Sequence, residues 1–375
     1  MAGQIKKRGE KTWLVRVFMG RDGIGKRRYM NKTIRGNKKD AESYLNTTLT
    51  QISAGTFVEP VNLTVDEYLD KWLATAAKAR LRERTHNDYS EKLKRYVRPL
   101  IGTLKLTDLR SLDVQLIYAA MSQRDLSPRT VRYTHTIFSS ALRQAVRWNM
   151  LARNPCMGVE LPRMKHKEMQ ALSPEEAGRF LSKARDDEYG VLFAFALATG
   201  MRPEEYLALK WPDIDLEART AVVTRTLVWR KGGGWFFGEP KTTRSRRTVP
   251  FPESVAKGLK THRSKQAETG LRLGASYAHE NFVFCTCEGK PLNLRNLTQR
   301  HFKPILKRAG LPESFRLYDL RHTCASLLLG ANEHPKVVSE RLGHASITLT
   351  LDTYSHVLPS MQQGASDKLE RILYG

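Results

Sequence analysis

The chain has 375 residues, long enough for two or three domains with their own cores, and carries 63 Lys and Arg against 38 Asp and Glu, a net charge of +25. Such an excess argues for a polyanionic partner, because each phosphate neutralised by Lys or Arg releases a counterion; a basic membrane-surface or ribosomal protein would share it, so charge alone names no function. No apolar run approaches the roughly 20 residues of a spanning helix, the N-terminus MAGQIKKRGEK lacks the apolar centre of a signal peptide, and four cysteines are too few for a disulfide framework, which together predict a cytosolic protein.

Residues 1–58 predict a small β-rich domain with one helix. Trp13, Val15 and Val17 alternate as a half-buried strand, Gly20-Arg-Asp-Gly23 supplies a turn, Arg27 to Ile34 form a further strand, and Ala41, Tyr44, Leu45 and Ile52 mark one helix face. Residues 1–60 hold 13 Lys or Arg against five Asp or Glu, so this module is itself strongly basic. Gly55 to Pro60 reads as a linker. Thr64-Val-Asp-Glu67 is then a capping box, opening a helix with Val65, Tyr68, Leu69, Trp72 and Leu73 on its apolar side. Further helices are predicted at Thr85 to Val97, Ser111 to Met121 and Ser127 to Trp148, the last with Pro128 at its first position. Residues 62–160 therefore read as a four-helix domain. On the last helix Arg129, Arg132, Arg143 and Arg147 fall within roughly one 60° sector at about 100° per residue, opposite Val131, Phe138, Ala141, Leu142 and Ala145. A stripe of guanidiniums suits a phosphate backbone, and equally a plain solvated face.

Pro155, Pro162 and the run Arg163-Met-Lys165-His-Lys167 mark a second, basic linker. A third domain, 168–375, opens with Ser173 as helix cap and Pro174 at the first helical position, and Leu192, Phe195 and Ala196 with Leu207 and Leu209 predict two helices around a Thr199-Gly200 turn. Ala221 to Trp229 and Trp235 to Pro250 read as strands flanking Lys231-Gly-Gly-Gly234, with Lys241 on or beside that hairpin and Arg244, Arg246 and Arg247 close by. The glycine-rich turn lacks the Gly-Lys-Ser/Thr ending of a nucleotide-binding loop, so no nucleotide cofactor is expected. Cys285 and Cys287 fall in an apolar strand, NFVFCTC, with no second ligand pair at zinc spacing, so no metal site is expected either. In the tail from Met361 to Gly375, Ala365, Leu369, Ile372 and Leu373 stand at helical spacing; this segment packs on its own domain or docks on a neighbouring protomer.

The stretch Tyr318 to His356 concentrates the chemistry. Leu320, Cys324, Leu327 and Leu328 predict an amphipathic helix from Asp319 to Leu329, closed by Gly330, with Arg321 in its first turn. A second helix begins at Pro335 and ends at Gly343, so that His344 emerges at a helix end, and Thr350 caps a third short helix carrying Tyr354. A guanidinium, an imidazole and a phenol that converge in this way suit phosphoryl transfer, where catalysis is mostly positioning and charge stabilisation.

Arg321-His322, Leu342-Gly343-His344 and a tyrosine ten positions after that histidine, preceded by Thr199-Gly200-Met201-Arg202-Pro203-Glu204-Glu205 and Pro240-Lys241-Thr242, resemble the signature of the tyrosine recombinases, of which the phage integrases are the best-known branch. The resemblance implies a multi-domain, mainly α fold with small β-sheets: a β-rich N-terminal arm-binding domain, a four-helix core-binding (SAM-like) domain and a mixed α+β catalytic domain. It implies that the enzyme cuts and rejoins DNA at attachment sites through a 3′-phosphotyrosyl intermediate, integrating and excising a phage or mobile element without ATP or metal. Arg202, Arg321 and His344 would hold the scissile phosphate, Tyr354 would attack it, Lys241 would protonate the departing 5′-hydroxyl, His322 would serve as base or relay, and Glu205 would orient Arg202. The arginine stripe would position the duplex, with Lys165 and Lys167 in a strap along the DNA.

The partners so implied are double-stranded core- and arm-type sites, three further copies of the chain in a homotetramer, a directionality factor and a host DNA-bending protein, in the nucleoid of a bacterial cytoplasm. One position departs from the family, whose His-x-x-Arg box here reads Tyr318-x-x-Arg321. A phenol can donate a hydrogen bond to a phosphate oxygen but does not titrate near neutrality as imidazole does, so Tyr318 is a donor or simply core. That departure feeds one rival, a DNA-binding regulator that kept the fold and lost strand cleavage. A second rival is a topoisomerase-like relaxing enzyme, which would not depend on a particular DNA sequence.

Overall fold

The computed structural model describes residues 3–21, 23–54, 57, 62–164, 169–230, 233–239, 246–354 and 360–375. The chain divides into two compact units, Met1–His166 and Lys167–Gly375.

The first unit opens with a three-stranded antiparallel meander, β1 (Gly3–Gly9), β2 (Thr12–Arg21) and β3 (Arg27–Arg35), followed by α1 (Lys38–Ser53). Pairing of Val17 with Met30 puts both on the face that α1 covers, where they form a small core with Val15 and Ala41. Asn37 caps α1 by accepting from Asp40 N, and the Asp40 side chain accepts in return from Asn37 N. On the opposite face the Arg16 guanidinium lies 3.8 Å from the centre of the Tyr29 ring, beside Phe18. The reversal expected at Gly20 falls later, because β2 continues to Arg21 with a register shift after Phe18. The first strand, GQIKKRG, escaped the sequence reading because Lys and Gly displace the apolar alternation that marks a strand.

The helical part of this unit has a separate core. The box at Thr64 and Glu67 forms as expected and starts α2 (Val65–Trp72), which continues through a π-helical turn, Leu73–Ala77, into α3 (Lys78–Arg80). A second such turn, Leu93–Val97, joins α4 (Glu83–Lys92) to α5 (Arg98–Ile101), and α6 (Ser111–Gln123) and α7 (Pro128–Arg147) complete the bundle. Tyr68, Trp72, Tyr118, Phe138 and Leu142 are buried at its centre.

In the second unit, α8 (Pro174–Ala184) starts from the Ser173 capping box and packs with α9 (Gly190–Thr199), while α10 (Pro203–Tyr206) follows the Gly200 turn. Strands β4 (Ile214–Asp215), β5 (Thr220–Val223) and β8 (Arg247–Pro250) make one small antiparallel sheet, and β6 (Thr226–Trp229) and β7 (Trp235–Gly238) make another. The single long hairpin expected here is thus broken between Val223 and Thr226, where Arg225 turns to pair with Asp213 at 2.6 Å. The chain then forms α11 (Glu253–Leu273), α12 (Leu294–Leu297), α13 (Lys303–Arg308), α14 (Asp319–Gly330), α15 (Pro335–Leu342), α16 (Ile347–Tyr354) and α17 (Ser360–Tyr374).

NFVFCTC is not a strand. Phe282 bridges Lys210 and Cys285 bridges Pro291 as isolated pairs, and Phe282, Val283 and Phe284 are buried in the main core of the unit, so their apolarity reflects packing rather than a β-ladder. Thr350 does not cap α16 but lies within it. Among the described residues no helix is long and apolar enough to cross a membrane.

Candidate active site

Two buried turns bring the basic side chains together. Helix α9 ends at Gly200, whose φ of 63° is left-handed and whose added Cβ would stand 2.9 Å from Leu342 Cδ2. Its carbonyl accepts from Arg321 Nη1 at 2.8 Å, while Arg321 Nη2 donates to the Leu342 carbonyl at 2.7 Å. Arg321 is 1% exposed. Burial first, then the neighbouring Arg202, pushes its pKa down to about 10, which still leaves it charged at neutral pH.

Arg202 stands at the start of α10 and is partly exposed, with Nη1 2.7 Å from Glu205 Oε1. Burial works against its charge, but Glu205, and after it the nearby Tyr318 phenol, outweigh that effect and hold its pKa above the usual arginine value.

Glu205 is itself buried and is shared by two arginines. Arg247 Nη2 reaches Glu205 Oε2 at 2.9 Å and Nη1 reaches Oε1 at 3.3 Å. Burial alone would raise the Glu205 pKa; the hydrogen bonds and charge of Arg247, with Arg202, bring it below the ordinary carboxylate value.

The imidazoles and the phenol complete the pocket. Tyr354, fully buried, shares a 2.8 Å hydrogen bond with His322 Nδ1. Burial raises the Tyr354 pKa above that of a free phenol, while the charge of Arg321 works the other way. His322 also packs edge-on against Tyr318, their ring centres 5.3 Å apart. His344 follows the left-handed Gly343 at the end of α15, and its Nδ1 lies 2.8 Å from Thr350 Oγ1. Burial pushes the pKa of each imidazole down to about 4, assisted at His344 by Arg321 and Arg202, so both rings are neutral at pH 7.

Arg202, Glu205, Tyr318, Arg321, His322, His344 and Tyr354 are therefore tied into one neighbourhood by these contacts. Tyr318 is 37% exposed and is not core. Lys241 lies outside the described residues, as do Lys165 and Lys167. In the other unit Arg129, Arg143 and Arg147 are exposed on α7, whereas Arg132 is half-buried and its Nε donates to the Pro162 carbonyl at 2.8 Å. Arg129 and Arg132, with Lys92 and Tyr133, border a surface hollow of about 560 Å³. Sequence reasoning placed Arg247 only near Lys241, and it missed Thr350 as a partner of His344. Neither carries a local signal, since strand register selects Arg247 from its arginine neighbours and helix phase selects Thr350. Among the described residues no group of three or more His, Cys, Asp or Glu is placed to hold a metal ion.

The chain is similar to known proteins along most of its length. The phage integrase family matches residues 163–361, and the family's N-terminal SAM-like domain matches residues 64–122. The chain is 31% identical over 388 aligned positions to a XerC-like tyrosine recombinase of Caldanaerobacter subterraneus subsp. tengcongensis, covering 98% of this chain and 97% of that one. It is 31% identical over 255 positions to the ICEBs1 integrase of Bacillus subtilis, covering 68% of each. Among solved structures, an integrase fragment of the Tn1549 transposon in complex with a circular intermediate DNA superposes with a TM-score of 0.69 at 20% identity, over 82% of this chain and 99% of that one. A lambda integrase dimer bound to a core site gives 0.56 at 17% identity, over 76% of this chain and 97% of that one. At those identities the likeness is one of fold.

Proposed function

The chain belongs to the phage integrase family, the tyrosine recombinases, whose work is site-specific DNA recombination, and on that footing we propose that it cuts and rejoins DNA at attachment sites with Tyr354 as its nucleophile. The observation that carries this reading is the 2.8 Å contact of the Tyr354 phenol with His322 Nδ1, in a pocket that also holds the Arg321 charge.

Tyr354 Oη attacks the scissile phosphorus while the bond to the 5′-oxygen breaks, leaving a 3′-phosphotyrosyl link. A free phenol has a pKa of about 10, so attack at neutral pH requires a proton acceptor, and neutral His322 is in place to take it. An incoming phosphate adds negative charge beside His322 and raises its affinity for that proton. Arg202 and Arg321 stabilise the charge that grows on the equatorial oxygens, with geometry that lysine does not reproduce, and His344 and Tyr318 donate further hydrogen bonds. Lys241, placed by its motif, gives the departing 5′-hydroxyl its proton. The phosphotyrosyl bond conserves the energy of the broken link, so a 5′-hydroxyl from the other duplex can reverse the step without ATP, and the proposed roles leave none for a metal.

The same reading divides the chain into an arm-binding domain at 1–58, a core-binding domain at 62–160 and a catalytic domain at 168–375. The Arg16, Phe18 and Tyr29 face of the sheet supports the first assignment, and the α7 arginines with Lys165 and Lys167 support DNA contact by the second. Four copies would act on two duplexes, a reading supported by the structure of a lambda integrase tetramer bound to a Holliday junction. Leu369, Ile372, Leu373 and Tyr374 on α17 are 55–84% exposed, which favours docking of this helix on a neighbouring copy over packing at home. With two DNA-binding modules, the direction of the reaction would be set by a directionality factor and a host DNA-bending protein.

The test begins by selecting a bound site from a random duplex library. That site, nicked beside the cleavage position, is incubated with the protein in EDTA and run on a denaturing gel. A covalent adduct that Tyr354→Phe abolishes is expected. Retarded DNA on a native gel with no adduct would replace this reading with a DNA-binding regulator.

A further inference from the structure

Among the described residues of the second unit, Arg247 is a buried charged group with several partners that the proposed chemistry does not use. It lies on β8, opposite Val223 of β5, and is 7% exposed at its side chain. Its two terminal nitrogens grip the two oxygens of Glu205 at 2.9 and 3.3 Å. Glu205 Oε1 is the same atom that holds Arg202 Nη1 at 2.7 Å. The remaining nitrogen of Arg247, Nε, donates to the Arg341 carbonyl at 2.7 Å. The next carbonyl, that of Leu342, is one of the two that hold Arg321. Gly343 follows, and a Cβ there would stand 2.9 Å from Arg247 Nη1. His344 comes directly after it. One guanidinium therefore touches the support of Arg202, the backbone next to the support of Arg321, and the turn that delivers His344.

We propose that Arg247 is a positioning residue for strand cleavage: it fixes Arg202 through Glu205 and sets the Arg341–His344 turn, so that the phosphate-binding groups are presented together. It touches no reacting atom. A planar guanidinium can satisfy the carboxylate bidentately with its two terminal nitrogens and still donate Nε to a carbonyl, whereas a lysine presents a single nitrogen that cannot reproduce the bidentate grip. The charge of Arg247 also has a function that burial makes necessary. Without it, Glu205 would compete undivided for Arg202 and draw that guanidinium away from the position a phosphate oxygen would occupy.

This inference rests on the proposed cleavage reaction, and its experiment keeps the two separable. Arg247→Lys is compared with the wild type for adduct formation in a single turnover at saturating nicked duplex. Two substrates are used, one with the natural scissile phosphate and one in which a methyl group replaces a nonbridging oxygen, removing the ground-state charge. Melting temperature and retention of the uncleaved duplex are measured alongside. The expected result is a rate about 10–100-fold lower on the phosphate, the range typical of a lost supporting contact, with unchanged duplex retention and a loss that shrinks several-fold on the methylphosphonate. The shrinkage is what a purely structural defect would not produce, because misfolding lowers both rates alike. A wild-type rate on the phosphate, or an equal loss on both substrates, overturns the proposal. Should Arg247→Lys fail to fold, Glu205→Gln is measured by the same criteria, and an equal loss on both substrates overturns it there too. Absence of any adduct with the wild type would instead sink the cleavage reading itself.

Discussion

His322 and His344 set a pH dependence that can be worked out from their surroundings. Both are held neutral by burial, with pKa values near 4 in the folded chain against about 6.5 when unfolded. The unfolded chain therefore binds protons that the folded one refuses. Stability from this source is fully present above about pH 6.5 and is lost as the pH falls toward 4. After discounting for the partial exposure of both rings, a combined loss of ~2 kcal/mol corresponds to roughly 4–8 °C in Tm for a unit of this size. Thermal melts of the DNA-free protein between pH 7 and 4.5 should show that drop, and His322→Asn should reduce it by about half, His344 supplying the rest; an identical profile in the variant would remove the burial of His322 as a cause. At this scale the sequence was legible wherever a motif names its own residue. Arg321, His344 and Tyr354 could be grouped because a glycine turn and helix starts fix their places locally, and Arg202 was added by its likeness to the family's arginine motif. Arg247 could not be picked from Arg244, Arg246 and Arg247, since only the pairing of β8 with β5 decides which of them faces Glu205.

Elements differ in what their boundaries do. The capping box at Thr64 holds α2, far in the chain from the proposed phosphate-binding groups, whereas the Gly343 turn at the end of α15 abuts Arg247. Thr64→Ala should cost about 1 kcal/mol of stability and leave the rate of adduct formation unchanged. Gly343→Ala forces a left-handed backbone on a residue with a Cβ, at about 1–2 kcal/mol, and also displaces the Arg247 guanidinium. Urea melts should place the two variants within about a kilocalorie of each other, while single-turnover cleavage should separate them by tenfold or more; equal rates would show that the turn has no part in the chemistry. The sequence read most of these helices correctly, because Ser, Thr and Pro mark their starts and glycine their ends. It failed where apolar residues served packing. Phe282 to Cys285 looked like a strand because they are buried on both sides, and the hairpin looked continuous because nothing local signals that Arg225 leaves it to meet Asp213.

For the whole molecule, the tail is the informative part. Residues 366–375 are all exposed, Leu369, Ile372, Leu373 and Tyr374 among them, so removing these ten residues should uncover no core of their own unit. The truncated chain should melt within a degree or two of the full-length protein and still bind a single site. It should fail to form a multimer on paired sites, as read by light scattering or crosslinking. A large fall in Tm would mean that the helix packs on its own domain. Charge and motif order had indicated a DNA-cleaving enzyme in several domains before any contact was known, but the alternatives for the tail stayed open, because helical spacing marks an apolar face without saying which surface covers it.

Arg321 differs from its neighbours in one further respect, which matters for inheritance. It spends two of its hydrogen bonds on the carbonyls of Gly200 and Leu342, binding together segments 121 and 21 residues away. A chain that loses this side chain loses a structural tie along with a proposed phosphate ligand, so it should be cleared from the cell and behave as a recessive null. A chain altered only at Tyr354, by loss of a single hydroxyl, should keep its fold and its hold on DNA. It would enter mixed assemblies with intact copies and stall them, so that the allele is dominant over the wild type. Two lesions in the same pocket, equally inactive in the tube, thus carry opposite genetics.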